Sequence, residues 1–142
     1  MSVLKGAVSA YREVSVRTAG QGKLIVMLYD GAIKQVEAAL TLLESHSLKL
    51  DLVHNALIKA QDIVTELMAG LDFDRGGEIA KNLMSLYLFF NEKLREANMK
   101  KSPEILYQVR DLLVELRAAW AQVASLRNEE SDPPQIGVNI AG

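Results

Sequence analysis

The chain has 142 residues, 49% of them hydrophobic and 24% charged, with a formal net charge of −2. That balance is globular, and the near-neutral charge without a basic block argues against a nucleic-acid partner, which needs clustered Lys and Arg to neutralise phosphates. The absence of cysteine excludes a disulfide framework and thiolate metal sites, and no apolar run approaches the roughly 20 residues of a membrane span.

Residues 1–15 have helical periodicity, with Val3, Leu4, Ala7, Ala10, Tyr11 and Val14 on one side. A helix this short is marginal in water unless its face docks on something, so it is expected to lie on the rest of the fold. Arg12, Glu13 and Arg17 and the lack of an apolar core make it unlike a secretory signal. Residues 16–22 form a connector. A first helix is expected over about 22–45, with Leu24, Ile25, Leu28, Tyr29, Ala32, Val36, Ala39 and Leu43 on one broad face. Val26 and Met27 fall off that face and need another cover, from this chain or from a partner. A second helix, over about 49–70, presents Val53, Ala56, Leu57, Ala60, Ile63, Val64, Leu67 and Met68, with Ile58 nearly opposite and Gly70 at its end.

Leu71 to Gly77 reads as a loop whose carboxylates complement the start of a third helix, over about 77–98. The core face of that helix is read as Ile79, Ala80, Leu83, Leu86, Tyr87, Phe90, Leu94 and Ala97, flanked by Leu88 and Phe89. Ser102 and Pro103 open a fourth helix as N-cap and first helical residue. Its core face is read as Ile105, Val109, Leu112, Leu113, Leu116, Ala119, Trp120 and Val123, and its end lies near Arg127 and Asn128. A second stripe, Tyr107, Val114, Ala118, Ala121 and Ser125, recurs at helical intervals on the other side. Small residues between apolar walls suit the docking of an amphipathic helix or an extended peptide. Val26, Met27, Ile58, Tyr107, Val114, Ala118 and Ala121 are therefore the candidate partner-binding residues. Residues 129–142, with Glu129, Glu130, Asp132, Pro133 and Pro134, read as a disordered acidic tail in which Ile136, Val138 and Ile140 alternate.

Short loops between long amphipathic helices favour antiparallel neighbours. The expected fold is all-α, an up-down four-helix bundle over residues 1–128 with the N-terminal segment docked on it. No paired Glu-x-x-His motif, EF-hand spacing, P-loop or nucleophile–base set is present. The chain is read as a non-enzyme without a cofactor. His54, on the polar face of the second helix, leaves a histidine phosphotransfer module as one alternative. A homo-oligomeric structural bundle that self-associates through its outer stripes is another.

The order of motifs resembles the flagellin-specific export chaperones, the FliS family. Tyr11, Val16, Thr18 and Ala19, then Leu24, Ile25, Met27, Leu28, Tyr29, Asp30, Gly31 and Ala32, match the opening signature, with Gly20-Gln21 where the family has Ser-Pro. Lys59 to Ile63 with Glu66-Leu67 are similar to a second block. Leu71-Asp72, Gly76-Gly77-Glu78-Ile79-Ala80, Asn82-Leu83 and Leu86-Tyr87 are similar to a third, and Leu112-Leu113, Leu116-Arg117 and Trp120 to a fourth. The resemblance spans residues 11–120. It implies a cytoplasmic helical bundle that binds the disordered C-terminal segment of flagellin, prevents premature polymerisation and keeps the subunit competent for flagellar type III secretion. A second flagellar regulator is a further candidate partner, and the free protein is expected to be a monomer or weak dimer. The resemblance also implies that the N-terminal face of Val3, Leu4, Ala7 and Tyr11 acts as a lid over part of the binding surface.

Overall fold

The computed structural model describes residues 21–131, with side chains described from 22 to 125. The lid residues Val3, Leu4, Ala7 and Tyr11, the motif residue Thr18 and the tail beyond Ser131 lie outside that range. The described chain is all-α, four helices in a helical bundle without strands among the described residues: α1 (Gln21–Glu44), α2 (Leu50–Ala69), α3 (Phe73–Lys100) and α4 (Pro103–Ser131). The chain divides into two compact units, Leu28–Val114 and Met1–Met27 with Glu115–Gly142.

In the Leu28–Val114 unit the end of α2, both ends of α3 and the start of α4 are set by local chemistry. The α2 arc follows the predicted periodicity: Val53, Ala56, Leu57, Ala60, Ile63, Val64 and Leu67 are buried, while Met68, expected on the same arc, is half-buried. Gly70 closes α2 in a right-handed conformation, its N–H shared among the carbonyls of Glu66, Leu67 and Met68. Its role is to end the ladder, and the left-handed conformation that glycine makes cheap is not used there.

The N-cap of α3 is Asp72, whose side chain accepts from the Arg75 N–H at 3.1 Å. The helix therefore begins earlier than the expected Gly77, and one turn precedes a break. Gly77 carries that break, at φ 50° and ψ −123°, a conformation that a side chain makes costly. The break corrects the expected α3 face at its start, since Ile79 is 69% exposed. Ala80, Tyr87, Phe90, Leu94 and Ala97 are buried as expected, while Leu83 and Leu86 of the same expected face are half-buried. Leu88 and Phe89 are exposed beside that face.

At its other end α3 is capped by Lys101 in the left-handed region, φ 50°. The Lys101 Nζ donates to the Asn98 carbonyl at 2.7 Å, which supplies one of the donors that a helix end lacks. Ser102 Oγ then accepts from the Ile105 N–H at 3.4 Å, and Pro103 takes the first helical position of α4, as expected from the sequence.

Cross-helix contacts fix the pairing. Asn98 meets His54 and Asn91 meets both Gln61 and Thr65, so partners fall along α3 as they rise along α2 and the two helices run antiparallel. A Cβ built on Gly31 of α1 would lie 3.2 Å from Ile63 Cδ1 of α2, a close approach in which Gly31 admits the neighbouring side chain. Tyr29 and Tyr87 join α1 to α3. Their hydroxyls are 2.8 Å apart and their rings lie 6.4 Å apart at 56°. Burial, reinforced by the hydrogen bond to Tyr29, pushes the Tyr87 phenol well above its ordinary range. Tyr29→Phe would leave the Tyr87 hydroxyl without that bond, at a cost of about 1–3 kcal/mol, whereas Tyr29→Phe with Tyr87→Phe should recover most of the loss. A double-mutant cycle in urea checks this, and additive losses would show that the pair is not coupled.

In the other unit, Leu24 and Ala124 are buried. A Cβ built on Gly22 would stand 2.9 Å from Ala124 Cβ, so the first turn of α1 lies directly against α4 at that point.

Candidate functional site

The α4 helix departs most from its expected phase. Among its described side chains Leu106, Val109, Leu113 and Ala124 are buried. With about 100° of turn per residue these four define a narrow seam. Leu112 is 36% exposed, Ala119 is exposed and Val123 is 46% exposed. The three were expected in the core, and Trp120 and Leu116 are only half-buried. The physical reason is that apolar residues occupy more than half of the circumference of this helix. Several helical phases would satisfy the pattern, and packing selects the one centred on Leu106 and Leu113.

The seam therefore has an apolar or small-residue flank on each side. One flank holds Ile105, Leu112, Leu116, Ala119 and Val123, the residues assigned to the core from sequence. The other holds Tyr107, Val114, Ala118, Ala121 and Ser125. Of these, Val114 is 46% exposed, Ala118 and Ser125 are exposed, and Tyr107 and Ala121 are half-buried. The Tyr107 ring is partly roofed by Arg110, whose guanidinium carbon lies 5.0 Å from the ring centroid. That contact leaves the wall apolar below and charged at its rim.

The remaining candidates divide by exposure. Met27 is 51% exposed, whereas Val26 and Ile58 are half-buried. Of the motif residues, Leu24, Leu28 and Tyr29 are buried, Gly31 and Gly76 are half-buried, and Asp30 and Gly77 are exposed. The Tyr29–Tyr87 pair and the Gly31–Ile63 approach show that much of the motif serves helix packing. Sequence reasoning missed that tyrosine pair. Its available signal was a phenol on the core face of each helix, since a buried hydroxyl usually finds a partner.

His54 is exposed on α2, and its Nδ1 lies 2.8 Å from Asn98 Nδ2. The Lys101 Nζ donates to Asn98 Oδ1, so the amide must turn its NH2 toward the imidazole. Nδ1 is then the acceptor, and in the neutral ring Nε2 carries the proton. A phosphoryl acceptor needs its lone pair on the outward nitrogen, and this network holds the lone pair inward. The geometry weighs against the phosphotransfer reading. Among the described residues no group of three or more His, Cys, Asp or Glu is placed to hold a metal, and no helix is long and apolar enough to cross a membrane.

Comparison with known proteins agrees with the motif order. The family model for flagellar protein FliS matches residues 4–127. The flagellar secretion chaperone FliS of Salmonella typhimurium is 36% identical over 82% of this chain and 89% of its own length. Its counterpart in Vibrio cholerae is 32% identical over 84% and 90%, and that in Bacillus subtilis 31% identical over 87% and 89%.

Proposed function

The chain belongs to the flagellar protein FliS family, and from that premise we propose that it is a cytoplasmic export chaperone for flagellin. In this reading it holds the C-terminal segment of flagellin, prevents premature polymerisation and keeps the subunit ready for flagellar type III secretion. The observation that carries the reading is the α4 exterior, with exposed Val114 and small Ala118 beside a narrow buried seam. An amphipathic segment that orders only on binding can lay its apolar side along such a face. The cost of ordering it keeps the complex reversible, as hand-over to an export apparatus requires. Met27 on α1 and Ile58 on α2 are further candidate contacts for such a partner, the first exposed and the second half-buried. The N-terminal residues Val3, Leu4, Ala7 and Tyr11 act in this reading as a lid over part of that surface.

Co-expression with the flagellin of the same organism tests the proposal. Full-length flagellin should co-purify with the chain, and flagellin lacking its C-terminal segment should not. Equal recovery of both forms would refute the assignment of the binding segment, and recovery of neither would refute flagellin as the partner.

A further inference from the structure

We propose that Met27 is a reversible oxidation site whose sulfoxide weakens the hold on flagellin. The modification stands on the geometry of α1, and its consequence for flagellin rests on the chaperone reading above. Between Leu24 and Ala32, the side chains of Leu24, Leu28, Tyr29 and Ala32 are buried and those of Ile25 and Val26 half-buried. Met27 is the one large apolar residue of that stretch that is exposed, at 51%, so the packing of α1 leaves most of it free. In a helix the side chain one turn further on leans back over its predecessor. For Met27 that position is Gly31, which has no side chain to cover the sulfur. The thioether is therefore open to small solutes at a position that the partner also uses.

Methionine at such a position differs from leucine in two ways. Its unbranched, polarisable side chain adapts to an irregular partner surface, and its sulfur accepts an oxygen atom from an oxidant of the hydroperoxide class. In that step a sulfur lone pair attacks a peroxide oxygen, and the S–O bond forms as the O–O bond breaks. Sulfur is oxidised by two electrons and the peroxide is reduced by two. With hydrogen peroxide the departing hydroxide takes the proton from the transferred oxygen and leaves as water. The product carries a polar S=O in place of an apolar thioether. In the free chain that oxygen stays hydrated, so the fold persists. Against an apolar partner it is desolvated without a donor, which weakens the complex. Sulfoxide reductases reverse the change, so the same chain can bind again. Met99, on α3, is 76% exposed and lies outside the candidate partner-binding set, while Met68 and Met84 are half-buried. These three residues serve as internal references.

The test treats the purified chain with hydrogen peroxide, quenches with catalase and locates the sulfoxides by peptide mass spectrometry. Met27 and Met99 should each gain one oxygen well before Met68 and Met84, and methionine sulfoxide reductases with a thiol reductant should remove it. A Met27 that stays unmodified while Met99 is fully converted overturns the site, and a sulfoxide that the reductases leave in place overturns its reversibility. The treated chain should then bind untreated flagellin roughly tenfold more weakly, with an unchanged circular dichroism spectrum. Met27→Leu keeps the apolar bulk and should bind equally well before and after peroxide, whereas Met99→Leu should remain sensitive. An equal loss in treated Met27→Leu, or no loss in the treated parent chain, overturns the link between Met27 oxidation and release. Failure of the untreated chain to bind flagellin counts against the chaperone reading, and the peptide map still decides the modification site.

Discussion

Replacing Phe90 by alanine is expected to lower stability by about 3–5 kcal/mol, a large share of the roughly 5–15 kcal/mol that holds a domain folded. Phe90 is fully buried on α3, on the same face as Tyr87 and Leu94. Helix α3 packs on α2, whose buried residues include Leu57, Ala60 and Val64. Tightly packed helices cannot close over the volume of a lost phenyl ring, so a cavity term adds to the lost transfer energy. The urea midpoint should fall steeply with little change in slope. A loss below about 1 kcal/mol would mean that the α2–α3 seam relaxes far more than its contacts suggest. Trp120→Ala should cost less, because its ring is half-buried at the edge of the α4 seam.

The largest functional effect is expected at the exposed flank. Val114→Glu combined with Met27→Glu should weaken flagellin binding at least tenfold, about 1.4 kcal/mol, and change stability by no more than about 0.5 kcal/mol. Both side chains are close to half exposed, at 46% and 51%, so a carboxylate at either position stays in water in the free protein. On binding it must be desolvated against an apolar partner, which is where the loss arises. Isothermal titration with flagellin, alongside thermal unfolding, separates the two effects. Unchanged affinity would remove both positions from the binding surface. Ile58→Glu is a less clean probe, because Ile58 is half-buried and its replacement should also lower stability.

Much of this protein is legible in its sequence. Four helices, their short connections, the Ser102–Pro103 start of α4 and the buried arc of α2 from Val53 to Leu67 follow from periodicity and capping chemistry. In α2 the apolar positions form one stripe with Lys59, Thr65 and other polar residues outside it, so only one helical phase buries the stripe. The motif order that points to the FliS family is likewise a property of the chain read alone.

Tertiary structure decided the rest. In α4, Ile105, Leu106, Val109, Leu112, Leu113, Val114 and Leu116 surround the helix, so hydrophobicity alone is nearly the same for several rotations about its axis. Neighbouring helices choose among them, and their choice turns Leu112 and Val123 outward and Leu106 inward. The Gly76-Gly77 pair is compatible with a loop or a helix, and the left-handed break at Gly77 ends the phase relation on which the Ile79 expectation rested. Tyr29 and Tyr87 are 58 residues apart, and a hydrogen bond between them exists only once α1 and α3 have packed. Local periodicity records how one element divides water from core, whereas rotation about an ambiguous axis and pairing across the chain depend on the surfaces that meet it.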